Sequence, residues 1–131
     1  IQIITVDHGY EKWANIPAER KRFFDLLKKT EANRVVLLSG DRHLAEFSRI
    51  KPEESGLDHE VIEMTSSGLT HAGAWDHGNS HRIEGSYFNK RNYGTIDIKW
   101  LENKAPEVSL KIRNLQGDLT KPFSGTTVRF K

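Results

Sequence analysis

The pattern of hydrophobic and polar positions predicts a strand and then a helix in the first thirty residues. Residues 1–6 are rich in β-branched side chains and run into a polar, glycine-containing segment, which predicts a buried strand that ends in a loop. Asn15 is a candidate helix cap, and Pro17 suits a first helical turn because its missing N–H does no harm there. Phe23 and Leu27 are one helical turn apart, so we expect this stripe to face the core.

Two further apolar segments predict strands, and a long loop follows the second. Residues 35–38 form a continuous apolar run between turn residues, which indicates a central strand buried on both faces rather than an edge strand. Residues 60–65 predict another strand. Residues 66–82 contain glycines, histidines and Trp75, and loops of this length in a compact domain are usually functional or disordered. The aromatic and histidine content favours a functional loop.

The last third of the chain reads as antiparallel structure. Apolar and polar residues alternate over 96–100 and again over 108–112, which predicts a hairpin with one solvent-facing side. Val128 and Phe130 are expected to supply a last short strand, after a connecting loop over 115–125. With the helix and the earlier strands, this predicts an α/β fold whose mixed sheet has antiparallel C-terminal strands, in one domain.

Composition and charge exclude several classes of protein. The 131 residues carry 20 Lys and Arg against 18 Asp and Glu, so there is no concentrated basic field and nucleic acid is not an expected partner. No apolar run approaches the length of a membrane span, so the sequence predicts no membrane-spanning segment. The absence of cysteine excludes disulfides and thiolate metal sites. The first residues lack the features of a secretion signal.

The segment after residues 35–38 holds the strongest candidates for chemistry. Asp41 and His43 are two residues apart, so in an extended segment their side chains project to the same side and can bind one metal ion. The alternative is a strand end with a hydrogen-bonded histidine. Arg42 either offers its guanidinium to a substrate phosphate or forms an ion pair with a carboxylate such as Glu46, and the second role is favoured.

The long loop adds three histidines with several open roles. His71, His77 and His81 can line the site, bind a phosphate when protonated, or act as a general acid, and the alternative is that they are ordinary exposed loop residues. His71 directly follows a predicted strand end and is the candidate catalytic residue, whereas His81 is a candidate substrate-binding residue. His8 and His59 are expected to be structural or solvent-facing.

Three segments together resemble the C-terminal part of the alkaline phosphatase D family, which belongs to the calcineurin-like metallophosphoesterases. They are residues 13–20, with Pro-Ala-Glu-Arg opening a helix, residues 35–43, ending in Ser-Gly-Asp-Arg-His, and residues 63–71. The resemblance implies a layered αββα sandwich, a phosphate ester substrate and a dinuclear centre of divalent or trivalent metal ions. It assigns Asp41 and His43 as metal ligands and implies a periplasmic or secreted location.

The chain also departs from that family. The other metal-binding motifs of the family precede the Gly-Asp-x-His element, and none of them occurs upstream of Asp41. Two side chains cannot hold two ions when a single zinc takes about four ligands. We therefore predict that the chain is a C-terminal fragment, inactive alone, whose missing N-terminal portion completes the site. The alternatives are a stand-alone binding module with at most one ion and a mononuclear hydrolase.

Overall fold

The computed structural model describes residues 1–121 and 125–129, which form a mixed α/β structure. A short 3-10 helix at Trp13–Asn15 precedes the main elements. In chain order these are α1 (Pro17–Lys29), β1 (Val36–Ser39), β2 (Ala45–Ile50), α2 (Pro52–Ser55), β3 (Val61–Ser66), β4 (Asn92–Leu101), β5 (Lys104–Asn114) and β6 (Gly125–Arg129). One sheet has the order β1-β3-β2, with β1 parallel and β2 antiparallel to β3. The other is antiparallel, in the order β4-β5-β6.

Each face of the β1-β3-β2 sheet has its own hydrophobic core, because successive strand residues point to opposite sides. On one face, apolar residues of β2 and β3 pack against the inner residues of β5. Those buried residues are Ala45, Phe47, Ile62, Met64, Val108, Leu110 and Ile112. On the other face, Phe24 of α1 packs with Leu37, Ile50 and Val61.

Several sequence predictions are confirmed. The strand expected at 60–65 is β3, and the alternating segments pair as the β4–β5 hairpin, with Ile96 opposite Leu110. The hairpin is longer than expected because the strands continue to a two-residue turn at Glu102 and Asn103. Val128 lies in β6, whereas Phe130 is outside the described residues.

The predicted strand at residues 1–6 is wrong. This segment forms only an isolated bridge between Gln2 and Lys12, although Ile4 is fully buried. The Glu63 carboxylate accepts hydrogen bonds from the backbone N–H groups of Ile3 and Ile4, and the Arg20 guanidinium donates to their carbonyls. Side chains thus satisfy backbone groups that a neighbouring strand would otherwise pair.

The first sheet differs from the prediction in two ways. β1 lies at the edge and β3 at the centre of the described sheet, so residues 35–38 do not form the expected central strand, and Leu38 is 55% exposed. β2 was not expected, although its apolar residues Ala45 and Phe47 alternate with Glu46 and Ser48. Both of these polar residues are buried, and the hydrogen bonds that make this favourable come from distant segments.

The prediction of a helix with Pro17 in its first turn is confirmed, but its details differ. α1 begins at Pro17, yet its cap residue is Ile16, and Asn15 instead accepts a hydrogen bond from the Lys12 ammonium. Phe24 is the buried residue of the helix, while Phe23 and Leu27 pack partly buried against the same core.

Candidate metal centre

A strained turn connects β1 to β2 and carries the predicted metal ligands. Asp41 has φ 64° and His43 has φ 53°, both in the left-handed region. The prediction of an extended segment is therefore wrong. The Ser67 hydroxyl fixes the turn by accepting a hydrogen bond from the Arg42 N–H. Asp41 and His43 are both exposed and Arg42 between them is buried, so the two candidate ligands still reach the surface.

The long loop brings a second histidine to this turn. The ring centroids of His43 and His71 lie 5.8 Å apart. The segment before His71 is held by Asn92, whose side-chain oxygen accepts hydrogen bonds from the Ser66 hydroxyl and the Gly68 N–H. The candidate ligand and the candidate catalytic residue, distant in the sequence, are therefore neighbours.

His81 lies away from this turn. His81 Nε2 contacts a Glu54 carboxylate oxygen at 2.6 Å, and its carbonyl accepts the Arg49 N–H. The distance of His81 from the turn follows from the strand register. Arg49, which His81 contacts, pairs with residue 62 of β3, whereas Ser39 at the end of β1 pairs with residue 65. These two positions are three residues apart along β3, which corresponds to roughly 10 Å. A role of His81 in substrate binding stays a prediction. His77 lies 3.2 Å from the Tyr10 hydroxyl.

The expected ion pair between Arg42 and Glu46 does not form. Arg42 instead places its guanidinium over the Tyr10 ring, 4.5 Å from the centroid. Glu46 is bound by Arg82, whose Nε lies 2.6 Å from a carboxylate oxygen. Arg82 also makes a two-pronged pair with Asp76 at 2.7 Å, so it ties the long loop to β2.

Next to the turn lies a buried polar network that sequence reasoning missed. Gln2 is fully buried and donates hydrogen bonds to Glu46 at 2.6 Å and Thr65 at 2.9 Å. Its carbonyl oxygen lies 2.9 Å from His8 Nε2. Asn79 of the long loop also donates to Glu46. The network fixes the N-terminal segment and the long loop on the same face of the sheet.

His8 lies in this network as a neutral imidazole. The residue is 3% exposed, and burial together with the positive charges of Arg42 and Lys12 lowers its pKa to about 4. Because Gln2 uses its amide N–H groups on Glu46 and Thr65, its oxygen accepts from His8 Nε2–H. His8 Nδ1 then accepts the Tyr10 backbone N–H.

The donor set of the turn suits a metal but is incomplete. One carboxylate and two imidazoles are oxygen and nitrogen ligands of the kind that zinc and related metals bind. Within residues 1–121 and 125–129, however, no three such side chains converge closely enough to hold an ion. Asp41, His43 and His71 therefore do not form a complete metal site among the described residues.

Comparisons of the chain with known proteins found no similar protein. No protein-family model matches the chain, no curated protein is significantly similar in sequence, and no solved structure is significantly similar in fold. In the part of the chain that the structure describes, no helix has the length and apolar character to cross a membrane.

Proposed function

We propose that the chain is part of a metal-dependent phosphoric-ester hydrolase of the alkaline phosphatase D type. In this proposal Asp41 and His43 supply part of a dinuclear centre, and the remaining ligands come from polypeptide outside this chain. The observation that carries it is the exposed pair on the turn after β1, with the His71 ring 5.8 Å from that of His43. The periplasmic or secreted location belongs to the same proposal and rests on the resemblance.

The strain of the turn supports a functional role. Left-handed backbone at a residue other than glycine costs about 1–3 kcal/mol, and such residues cluster at active sites and ligand-binding positions. Here two of them, Asp41 and His43, flank a single residue. Asp and His tolerate this conformation better than most residues, so the sequence is adapted to a backbone that presents both side chains outward.

The roles of the residues follow from their chemistry. Metal ions bound there would polarise the phosphoryl oxygens and favour ionisation of an attacking water. Asp41 and His43 would hold the ions, and His71, exposed beside His43, would donate a proton to the leaving oxygen. Asn92 positions His71 indirectly, because it fixes the backbone at Gly68.

Exposed apolar residues support the view that further strands complete the fold. Leu38 of the edge strand β1 is 55% exposed, and Trp100 of the edge strand β4 is 78% exposed. Ile96 and Ile98 are also exposed, although they share a face with the core residues of β5. Polypeptide that extends both sheets past β1 and β4 would bury this surface and give the layered αββα sandwich.

A stand-alone binding module with at most one ion is the second candidate. It is favoured by the absence of a three-ligand group among the described residues. Metal content separates the two functions. The hydrolase requires at least two ions per full-length natural protein, whereas the module takes one ion or none even in the full-length natural protein.

The direct test is metal content and hydrolysis in the full-length natural protein. We expect at least two bound metal ions and hydrolysis of p-nitrophenyl phosphate or its bis ester. Asp41→Asn and His43→Gln should remove metal and lower kcat by at least about a hundredfold. His59→Gln, which changes a histidine next to Asp58 instead, is the matched control and should keep both. A folded protein without metal or hydrolysis would refute the proposal.

A further inference from the structure

Among the residues that the structure describes, Arg42 is a buried cation without an anionic partner. The residue is 8% exposed, and its Nε–H is buried with no hydrogen-bond acceptor in that part of the chain. Across residues 1–121 and 125–129, its guanidinium forms no ion pair and no side-chain hydrogen bond, and its contact is with the face of the Tyr10 ring. A buried charge of this kind is costly unless a partner compensates it.

The surroundings add positive charge. Lys12 is 8% exposed, and its ammonium donates to the carbonyls of His8 and Tyr10 and to the Asn15 side chain, which are all neutral acceptors. Both cations act electrostatically on the neutral His8 ring. Glu46 is a nearby carboxylate, but its oxygens are already bound in the Gln2, Asn79 and Arg82 network. Among the described residues, the region around Arg42 thus holds two buried cations, while the neighbouring carboxylates Glu46 and Asp76 are both paired with Arg82.

The geometry around Arg42 leaves its guanidinium able to bind an anion. The Arg42 guanidinium lies over the Tyr10 ring, 4.5 Å from its centroid, and among the described residues no side chain or carbonyl accepts a hydrogen bond from its Nε–H. At the surface, the Tyr10 hydroxyl and His77 Nε2 are 3.2 Å apart and exposed. When His77 Nε2–H donates to the Tyr10 oxygen, the Tyr10 hydroxyl can donate to an anion near Arg42.

We propose that Arg42, with Tyr10 and His77, forms a binding site for a tetrahedral oxyanion such as phosphate. The in-plane N–H groups of Arg42 would bind two oxygens of the anion, as guanidinium groups do with phosphate. Arg42 belongs to the same turn as Asp41 and His43, so under the proposed function the anion would be the phosphoryl group of the substrate or the released phosphate. That last assignment rests on the proposed function, whereas the oxyanion site does not.

The test is titration of the metal-free chain with inorganic phosphate. After treatment with EDTA, the folded 131-residue chain should bind phosphate saturably by calorimetry, and phosphate should raise its Tm. Arg42→Gln should weaken binding at least about tenfold, since one charge-assisted, two-pronged contact is lost. Arg49→Gln is the control, because Arg49 already pairs with Glu60 at 3.6 Å, and it should bind like the wild type.

A second variant separates ligand binding from a structural role. If Arg42 is held in place for an anion, Arg42→Leu removes an uncompensated buried charge, so its Tm without phosphate should equal or exceed that of the wild type. A lower Tm, together with no response of the wild type to phosphate, would show that Arg42 only packs on Tyr10 and would overturn the proposal.

These results are independent of hydrolysis. Phosphate binding that depends on Arg42 supports the oxyanion site even if the full-length natural protein hydrolyses no ester. Conversely, metal-dependent hydrolysis with unchanged KM in Arg42→Gln, and no phosphate binding by the metal-free chain, would refute the oxyanion site alone.

Discussion

His8 should make the fold sensitive to mild acid. Its native pKa is about 4, against 6.5 for an unperturbed imidazole. As the pH falls from 6.5 to 4, the unfolded chain binds the proton and the native chain does not, so the free energy of unfolding decreases. Between pH 7 and pH 4.5 this single group should remove about 2.5 kcal/mol of stability.

The structure explains why the native ring resists the proton. His8 Nδ1 already accepts a hydrogen bond from the Tyr10 backbone N–H. Protonation of Nδ1 would therefore place its new N–H group opposite the Tyr10 N–H, with no acceptor between them. The new charge would also be buried beside Arg42 and Lys12, which repel it.

The assay is urea unfolding of the wild type and His8→Gln at several pH values. The variant should lose less stability than the wild type between pH 7 and pH 4.5, by about 2.5 kcal/mol. His71→Gln replaces an exposed histidine and is the control, so its free energy of unfolding should change with pH as that of the wild type does. Equal profiles for the wild type and His8→Gln, or a native His8 ring that titrates near pH 6.5 by NMR, would refute the reasoning.

Two further predictions concern the supports of the site. Arg82→Gln should lower the free energy of unfolding by about 3 kcal/mol at pH 7, because the buried Glu46 carboxylate loses its ion-pair partner. Urea unfolding of the variant and the wild type at pH 7 checks this. Gly68→Ala should cost about 1–3 kcal/mol by urea unfolding and move the NMR signals of His71, since the added methyl group overlaps the Asn92 amide. Unchanged stability together with unchanged His71 signals would contradict the described packing.

The secondary structure was predictable where local patterns decide it. Strict alternation identifies the β4–β5 hairpin, and Pro17 marks the start of α1. The strand prediction for residues 1–6 failed because their β-branched composition is typical of a strand, whereas their backbone groups form hydrogen bonds with the distant side chains of Glu63 and Arg20. No local sequence pattern predicts that side chains, rather than a neighbouring strand, bind these backbone groups.

For the candidate site, the sequence indicates which residues to consider, and their binding of metal stays a prediction. The Gly-Asp-Arg-His segment marks Asp41 and His43, but sequence spacing implied an extended backbone where the chain makes a left-handed turn. The proximity of His71 and the stacking of Arg42 on Tyr10 depend on long-range folding of the loop and of the N-terminal segment. Those contacts have no signature within a short window of sequence.

The most direct test of the central claim is anomalous diffraction from crystals of the full-length natural protein containing Mn²⁺ or Zn²⁺. The account predicts an anomalous peak within about 2.0–2.2 Å of both a carboxylate oxygen of Asp41 and a ring nitrogen of His43. A fully ligated metal ion elsewhere in the protein, with Asp41 and His43 bound to solvent alone, would contradict it.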